Sequence, residues 1–226
     1  MSIKNVTITT PTRQASEYLN GYLAQLDGLD YPLEHLRIVI VEGDSQDDTY
    51  SILSDWAKDR PHITLVKHDT GRPKYPSAVM PARFAHLADV FNTCLEAVDY
   101  SWSDYVVFSP ADVIWGADIL NRLLATGKAY VAPMYWMNGE NRFYDIWGYT
   151  HPNITFGPFG REWYERVLRG QLTEMATVGG LVLIKADILR AGCRYAPANV
   201  DHGLCQQAQA LGYTVWCDPT TDIWHR

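Results

Sequence analysis

No apolar run in this chain approaches the roughly 20 residues that a membrane-spanning helix requires. The opening Met1-Ser2-Ile3-Lys4 leads straight into a strand pattern, without the regions of a signal peptide. A soluble, cytoplasmic protein is therefore expected. Cysteine is scarce: Cys94, Cys193, Cys205 and Cys217 stand far apart with no C-x-x-C pair. That spacing argues against a zinc cluster and for reduced thiols. Positive charge is in deficit, with 19 Lys plus Arg against 26 Asp plus Glu and a formal net charge of −7. Broad electrostatic binding to nucleic acid is disfavoured by that balance. Internal repeats, low-complexity tracts and linkers are missing too.

What is present suits one α/β domain: 226 residues, 47% hydrophobic and 20% charged, enough to bury a sizeable core. Residues 5–10 read as a β-branched strand ended by Pro11. Residues 16–26 carry apolar side chains at helical spacing, with Ser16 as the cap. The Ile/Val run at 36–41 is typical of a strand buried on both faces. Asp47-Asp48-Thr49 opens a helix to about residue 58, with acidic groups at its positive end. A strand at 63–67, an ordered loop at 69–81, a helix at 82–98, a strand at 105–108, a helix at 116–125 and a strand at 129–133 follow. This alternation predicts a mostly parallel sheet covered on both sides. After Pro133 the rhythm changes, and residues 134–161 read as loops and irregular strands. A short helix at 161–168, a strand at 177–184, helices from 186 and at 202–211, and a strand at 213–217 complete the chain.

Parallel sheets bind ligands at the carboxyl ends of their strands. Four such ends carry polar groups here: Thr10-Pro11-Thr12-Arg13, Glu42-Gly43-Asp44, Asp112, and the segment after Cys217. Asp112 follows the apolar strand 105–108, a place where a carboxylate holds a divalent metal at the sheet rim. Glu42 is set to hydrogen-bond a base or ribose, or to cap the next turn. Arg13 and Arg83 offer bidentate forks to phosphates. Trp136 and Trp147 lie in an aromatic-rich stretch, which is either core or a stacking surface for sugars or bases. Asp201 caps its helix, takes a proton from an acceptor hydroxyl, or does both. His202 is a second candidate base.

Several motifs combine these residues. Thr9-Thr10-Pro11-Thr12-Arg13 resembles a first-strand nucleotide-binding signature. The run from Val39 to Thr49 is similar to V-V-D-D-G-S-x-D-x-T, with Glu42 at the base-contacting aspartate. Pro110-Ala111-Asp112 falls on a D-x-D motif whose first aspartate is replaced by Pro110. Arg83 and Asn92 sit where relatives carry an arginine and an R-N pair, with Phe91 in place of that pair's arginine. Gly179-Gly180 resembles a G-G-x-x-L-I strand, and Val200-Asp201 an E-D motif. In this order and spacing they resemble a GT-A fold glycosyltransferase of the broad family 2 type. A secondary likeness is to the fungal mannan-polymerase mannosyltransferases.

The resemblance implies a Rossmann-like GT-A sheet flanked by helices, with a smaller acceptor-side region. Residues 1–133 would form the nucleotide-sugar-binding half and 134–226 the acceptor-binding and catalytic half of a single domain. It implies transfer of a sugar from a nucleotide-diphosphate sugar, with Thr10, Pro11, Thr12, Arg13, Glu42, Arg83 and Asp112 on the nucleotide. Asp112 and His225 would hold Mn²⁺ or Mg²⁺, and Asp201 would be the base if the reaction inverts the anomeric centre. Trp136, Trp147, Gly179 and Gly180 would meet the acceptor. That acceptor is a soluble or lipid-linked glycan, or a hydroxymethylated DNA base approached through Arg142, Arg161, Arg166 and Arg169. The alternatives are a degenerate nucleotide-sugar-binding protein and a nucleotidyltransferase, although the latter's glycine-rich loop is missing after the first strand.

Overall fold

A computed structural model describes residues 3–73, 75, 80–198 and 200–226. Its centre is a sheet in the order β3-β2-β1-β4-β8-β6-β9-β5, with β7 added alongside β9. The strands are β1 (Val6–Thr12), β2 (Leu36–Glu42), β3 (Ile63–Lys67), β4 (Tyr105–Phe108), β5 (Val113–Trp115), β6 (Tyr130–Met137), β7 (Thr173–Met175), β8 (Val182–Lys185) and β9 (Val215–His225). The first four run parallel. β8 reverses against β4, and β6 and β9 run parallel to each other. The helices are α1 (Ser16–Asp27), α2 (Thr49–Ala57), α3 (Pro81–Glu96), α4 (Ile119–Ala125), α5 (Arg161–Leu168), α6 (Ala186–Arg190) and α7 (Val200–Ala210). The expected mostly parallel α/β sheet is therefore present.

Successive residues of β1 face opposite layers, as a strand requires. Thr9 donates its hydroxyl hydrogen to the Cys94 carbonyl in α3, and the Thr10 hydroxyl pairs with Tyr22 of α1 at 2.6 Å. Strand β2 is buried along nearly its whole length, as its Ile/Val run predicts. Asp47 serves two helix starts at once. It accepts hydrogen bonds from the Ser16 backbone and hydroxyl and from the Thr49 N–H. Burial would raise its pKa, yet these donors bring it down to about 2. Asp47, not Ser16, is the group that satisfies the first turn of α1.

Four elements differ from the sequence reading. Strand β1 continues through Pro11, pairing with β2 as far as Thr12↔Glu42. Strand β4 pairs with β1 only up to Thr9↔Phe108, so Pro11 stands beside an opening in the ladder, where a missing N–H is tolerated. Strand β6 runs on to Met137 through the stretch read as loop, and β9 is one strand reaching His225. The glycine pair precedes β8 instead of lying inside a strand at 177–184. Part of the expected 69–81 loop lies outside the described residues. Among the described residues, no helix is long and apolar enough to cross a membrane.

Candidate active site

The sheet parts between the carboxyl ends of β1 and β4, and a cleft of about 780 Å³ opens there. Such a switch point is where open α/β sheets bind ligands. Pro11, Thr12, Arg13, Arg83, Asp112, Trp147, Gly180, Asp201 and His225 all line it. The Thr12 hydroxyl is buried and has no hydrogen-bond partner among the described residues. A buried donor without a partner is costly unless a ligand completes it.

Asp112 and His225 meet because β5 and β9 pair in the register Val113↔His225. The Arg226 N–H donates to the Asp112 carbonyl at 3.0 Å, and His225 Nε2 lies 3.4 Å from Asp112 Oδ2. The His225 ring stacks on Tyr144 with centroids 3.9 Å apart. Burial disfavours the imidazolium, but the hydrogen bond and charge of Asp112 outweigh it and raise the His225 pKa.

After β2, the sequence reading placed Asp44 at a polar strand end without giving it a role of its own. This carboxylate lines the cleft, adopts a left-handed φ of 57°, and ties down the following loop. It accepts hydrogen bonds from the Thr70 hydroxyl at 2.6 Å and the Gly71 N–H at 2.8 Å, with Arg13 3.9 Å away. Burial pushes its pKa upward, but these donors and the Arg13 guanidinium bring it to about 2. Asp44 thus holds Thr70 and Gly71, which follow His68 in the chain, and the Thr70 hydroxyl lies 3.2 Å from Nε2 of His86 in α3; both imidazoles are on the cleft wall. The signal was available in its place just after a parallel strand.

The opposite wall of the cleft is built by a segment that turns back along β6. Tyr144 N–H bonds to the Tyr135 carbonyl at 2.7 Å, which brings Asp145 over the cleft opposite Asp201 in the first turn of α7. Asp145 accepts the Gly148 N–H at 2.9 Å, and the His202 ring bonds to the Trp147 carbonyl at 2.8 Å. Burial and then the Asp145 charge push the Asp201 pKa up to about 8. Desolvation likewise raises Asp145, against the pull of Gly148 and His202. Asp145 escaped the sequence reading because no periodicity marks the segment that delivers it. Gly180 has φ 68°, and a Cβ there would meet the Tyr135 ring at 2.5 Å, so only glycine suits the position.

Four expected site residues fall outside the cleft lining. Thr10 is fully buried against Tyr22. Trp136 is core: it is 3% exposed, donates its Nε1–H to Asp222 at 2.6 Å, and lies under the Arg161 guanidinium. The neighbouring rings of Phe143, Tyr149, Phe156 and Tyr164 pack into one aromatic cluster, leaving Trp147, 74% exposed, as the ring that faces solvent at the cleft. Gly179 sits behind Asp145 and Asp201. Glu42 is buried, bonded to Lys67 Nζ at 2.5 Å and to the Ser45 N–H, so its carboxylate braces β2 against β3. Of the expected basic cluster, Arg161 pairs with Asp222 and Arg142 with Glu140, and Arg161 and Arg169 border a separate hollow of about 370 Å³.

The Glu42–Lys67 pair predicts a stability effect without a nucleotide effect. Lys67→Met leaves a buried carboxylate short of a partner, and solvent reaches the lysine's open side. We expect a loss of about 1–3 kcal/mol in urea unfolding. Nucleotide affinity should stay within about threefold of the parent, since a 1.4 kcal/mol change would be tenfold. A larger shift in affinity would return Glu42 to the binding site.

Comparison with known proteins agrees with this architecture. The profile described as glycosyltransferase family 25, N-terminal domain, matches residues 4–153. Human procollagen galactosyltransferase 2 is 30% identical over 145 residues, covering 59% of this chain and 23% of that protein. The human inactive glycosyltransferase 25 family member 3 is 26% identical over 151 residues, 63% of this chain and 25% of that protein. This chain thus spans about a quarter of the length of these curated relatives. Among solved structures, a mannosyltransferase from Pyrobaculum calidifontis in complex with GDP-Man and Mn²⁺ superposes with a TM-score of 0.65 and 19% identity. That superposition covers 100% of this chain and 57% of the other, and shows the shared GT-A fold. On the profile match, the chain belongs to glycosyltransferase family 25, through its N-terminal domain.

Proposed function

We propose that this chain transfers a sugar from a nucleotide-diphosphate sugar to an acceptor hydroxyl. One observation carries the reading. Asp112 and His225 meet where β5 begins and β9 ends, in the same cleft as Arg13, Arg83 and Asp201. Residues 1–133 are then the nucleotide-sugar half and 134–226 the acceptor half.

A hard carboxylate and an imidazole 3.4 Å apart, facing a cleft, fit a divalent ion. No group of three or more such side chains occurs among the described residues, so diphosphate oxygens and water would complete the shell. Bound there, Mn²⁺ or Mg²⁺ would act as a Lewis acid on the departing diphosphate. The chain's own residues do the rest. Arg13 and Arg83 pair with phosphate oxygens, Thr12 offers its unpartnered hydroxyl, and Asp44 keeps Arg13 in place. Asp201 accepts the proton of the attacking hydroxyl if the centre is inverted. If it is retained, Asp201 positions the acceptor. Trp147 offers an exposed ring face to an acceptor sugar. A glycan suits this site better than DNA, given the acidic chain and the ion pairs that already hold Arg142 and Arg161.

A second reading, nucleotide-sugar binding without turnover, is favoured by Pro110 at the first position of the D-x-D motif. Incubating the full chain with UDP-galactose, UDP-glucose and GDP-mannose, with and without Mn²⁺, separates the two. Mn²⁺-dependent release of UDP or GDP supports transfer chemistry, with water as the stand-in acceptor. Binding of the donor without release supports the second reading.

A further inference from the structure

Asp145 and Asp201 press on a single backbone position from two different elements. A Cβ on Gly179 would lie 2.6 Å from Asp145 Oδ2 and 3.1 Å from Cγ and Oδ2 of Asp201. No side chain fits between them. Asp145 is oriented by the Gly148 N–H, Asp201 is fixed by the first turn of α7, and both face the cleft. Two carboxylates against one backbone position, shielded from water, ionise together only at a cost, so the charge of one raises the proton affinity of the other. The groups around them come from every adjoining element: His202 and Cys205 of α7, Tyr130 and Tyr135 of β6, Tyr144 and Tyr149 of the returning segment, Tyr195 before α7, and Asp112 and His225 across the cleft. Positive charge reaches Asp145 from His202 and His225, and Arg83 lines the same cleft and acts on the neighbouring Tyr144.

Resting on the reading of Asp201 as base, we propose that Asp145 and Asp201 act as one proton-sharing unit. Asp145 is its positioning residue: the Gly148 N–H holds it as the carboxylate, and its charge makes the facing Asp201 the stronger base and the seat of the pair's proton. In the transfer step, the acceptor oxygen bonds to the anomeric carbon as its proton passes to the ionised Asp201. The anomeric C–O bond to the diphosphate breaks, and its electron pair leaves with the diphosphate. The pair goes from no proton to one and later returns it to water. This assigns a function to Asp145, and it explains why residue 179 is glycine.

A ¹³C NMR titration of the aspartate carboxyl carbons in the ligand-free full chain tests the pair without relying on turnover. We expect the signal that disappears in Asp201→Asn to titrate above pH 6 in the parent. Titration of both carboxyls below pH 5 overturns the proposal. A second arm follows Mn²⁺-dependent hydrolysis of the best of the three donors against pH. Asp145→Asn should move the acid limb of the kcat profile down by about one pH unit or more, with the donor KM within about threefold. An unmoved limb overturns the pairing. If Asp145→Asn does not melt cooperatively, Asp145→Ser is read the same way. Undiminished hydrolysis in Asp201→Asn would instead defeat the base reading, and the carboxyl titration alone would then decide whether the two acids share a proton.

Discussion

Replacing Asp112 with alanine is expected to abolish the Mn²⁺-dependent part of nucleotide binding while leaving the fold intact. Asp112 is 39% exposed in its side chain and pairs with His225 at the cleft rim, so its removal should change stability by no more than about 0.5 kcal/mol. The effect on ligand is large for a separate reason. A lone imidazole left at the rim of an acidic cleft is a poor site for a hard cation, and without the ion the diphosphate faces uncompensated acidic groups. We expect the affinity for UDP or GDP in Mn²⁺ to fall at least about 100-fold, equivalent to about 2.8 kcal/mol. At a ligand concentration 100 times the parent Kd, the parent gains about 2.7 kcal/mol of stability. The Asp112→Ala chain should lose most of that gain in a thermal-shift experiment, while its ligand-free melting temperature is unchanged. Equal Mn²⁺-dependent shifts in parent and variant would place the ion elsewhere.

Asp201→Asn carries the second large effect, and it acts on turnover instead of binding. Asparagine preserves the shape but cannot accept the proton, so donor hydrolysis or transfer should fall about 10²- to 10⁴-fold. Binding of UDP or GDP, which lies across the cleft, should be retained. The same substitution should make the fold more stable at neutral pH. Burial and Asp145 raise the folded-state pKa of Asp201 to about 8, above the ordinary carboxylate value of 3.8. The folded chain therefore binds more protons than the unfolded chain between those two values, and its stability declines as pH rises through that window. Asparagine removes that decline, so the melting temperature of the variant should exceed the parent's near pH 8 and match it near pH 4. Wild-type turnover runs the opposite way, because the base works only when deprotonated: the rate should climb as pH rises toward about 8. An unaltered rate in Asp201→Asn would reduce Asp201 to a helix cap.

The parts of this protein that were legible in the sequence are those encoded locally. The Ile/Val run of β2, the helical spacing of α1 and the alternation up to β6 depend on neighbouring residues. Their periods survive without tertiary help. Strand β6 beyond Pro133 was hidden because an Asn-Gly turn follows it and its rings resemble loop composition, whereas those rings form a core. The Asp112–His225 meeting rests on the β5–β9 register, which joins residues far apart in the chain. Only the motif resemblance pointed to it. Glu42 and Thr10 occupied the expected strand ends, yet Lys67 and Tyr22 hold them inside the protein. A strand-end position does not say which way the side chain turns. Asp44 and Asp145 had the opposite history: both were in plain view, but the loops that aim them at the cleft have no periodic signature.

The most direct test is a crystal of the full chain grown with Mn²⁺ and UDP or GDP, with data collected at the manganese absorption edge. We expect one anomalous peak within about 2.0–2.6 Å of an Asp112 oxygen and a His225 nitrogen. Diphosphate oxygens should complete the ion's shell, and Arg13 or Arg83 should lie against the phosphates. A nucleotide bound in the cleft with no ion between Asp112 and His225, or an ion held elsewhere, would contradict the account.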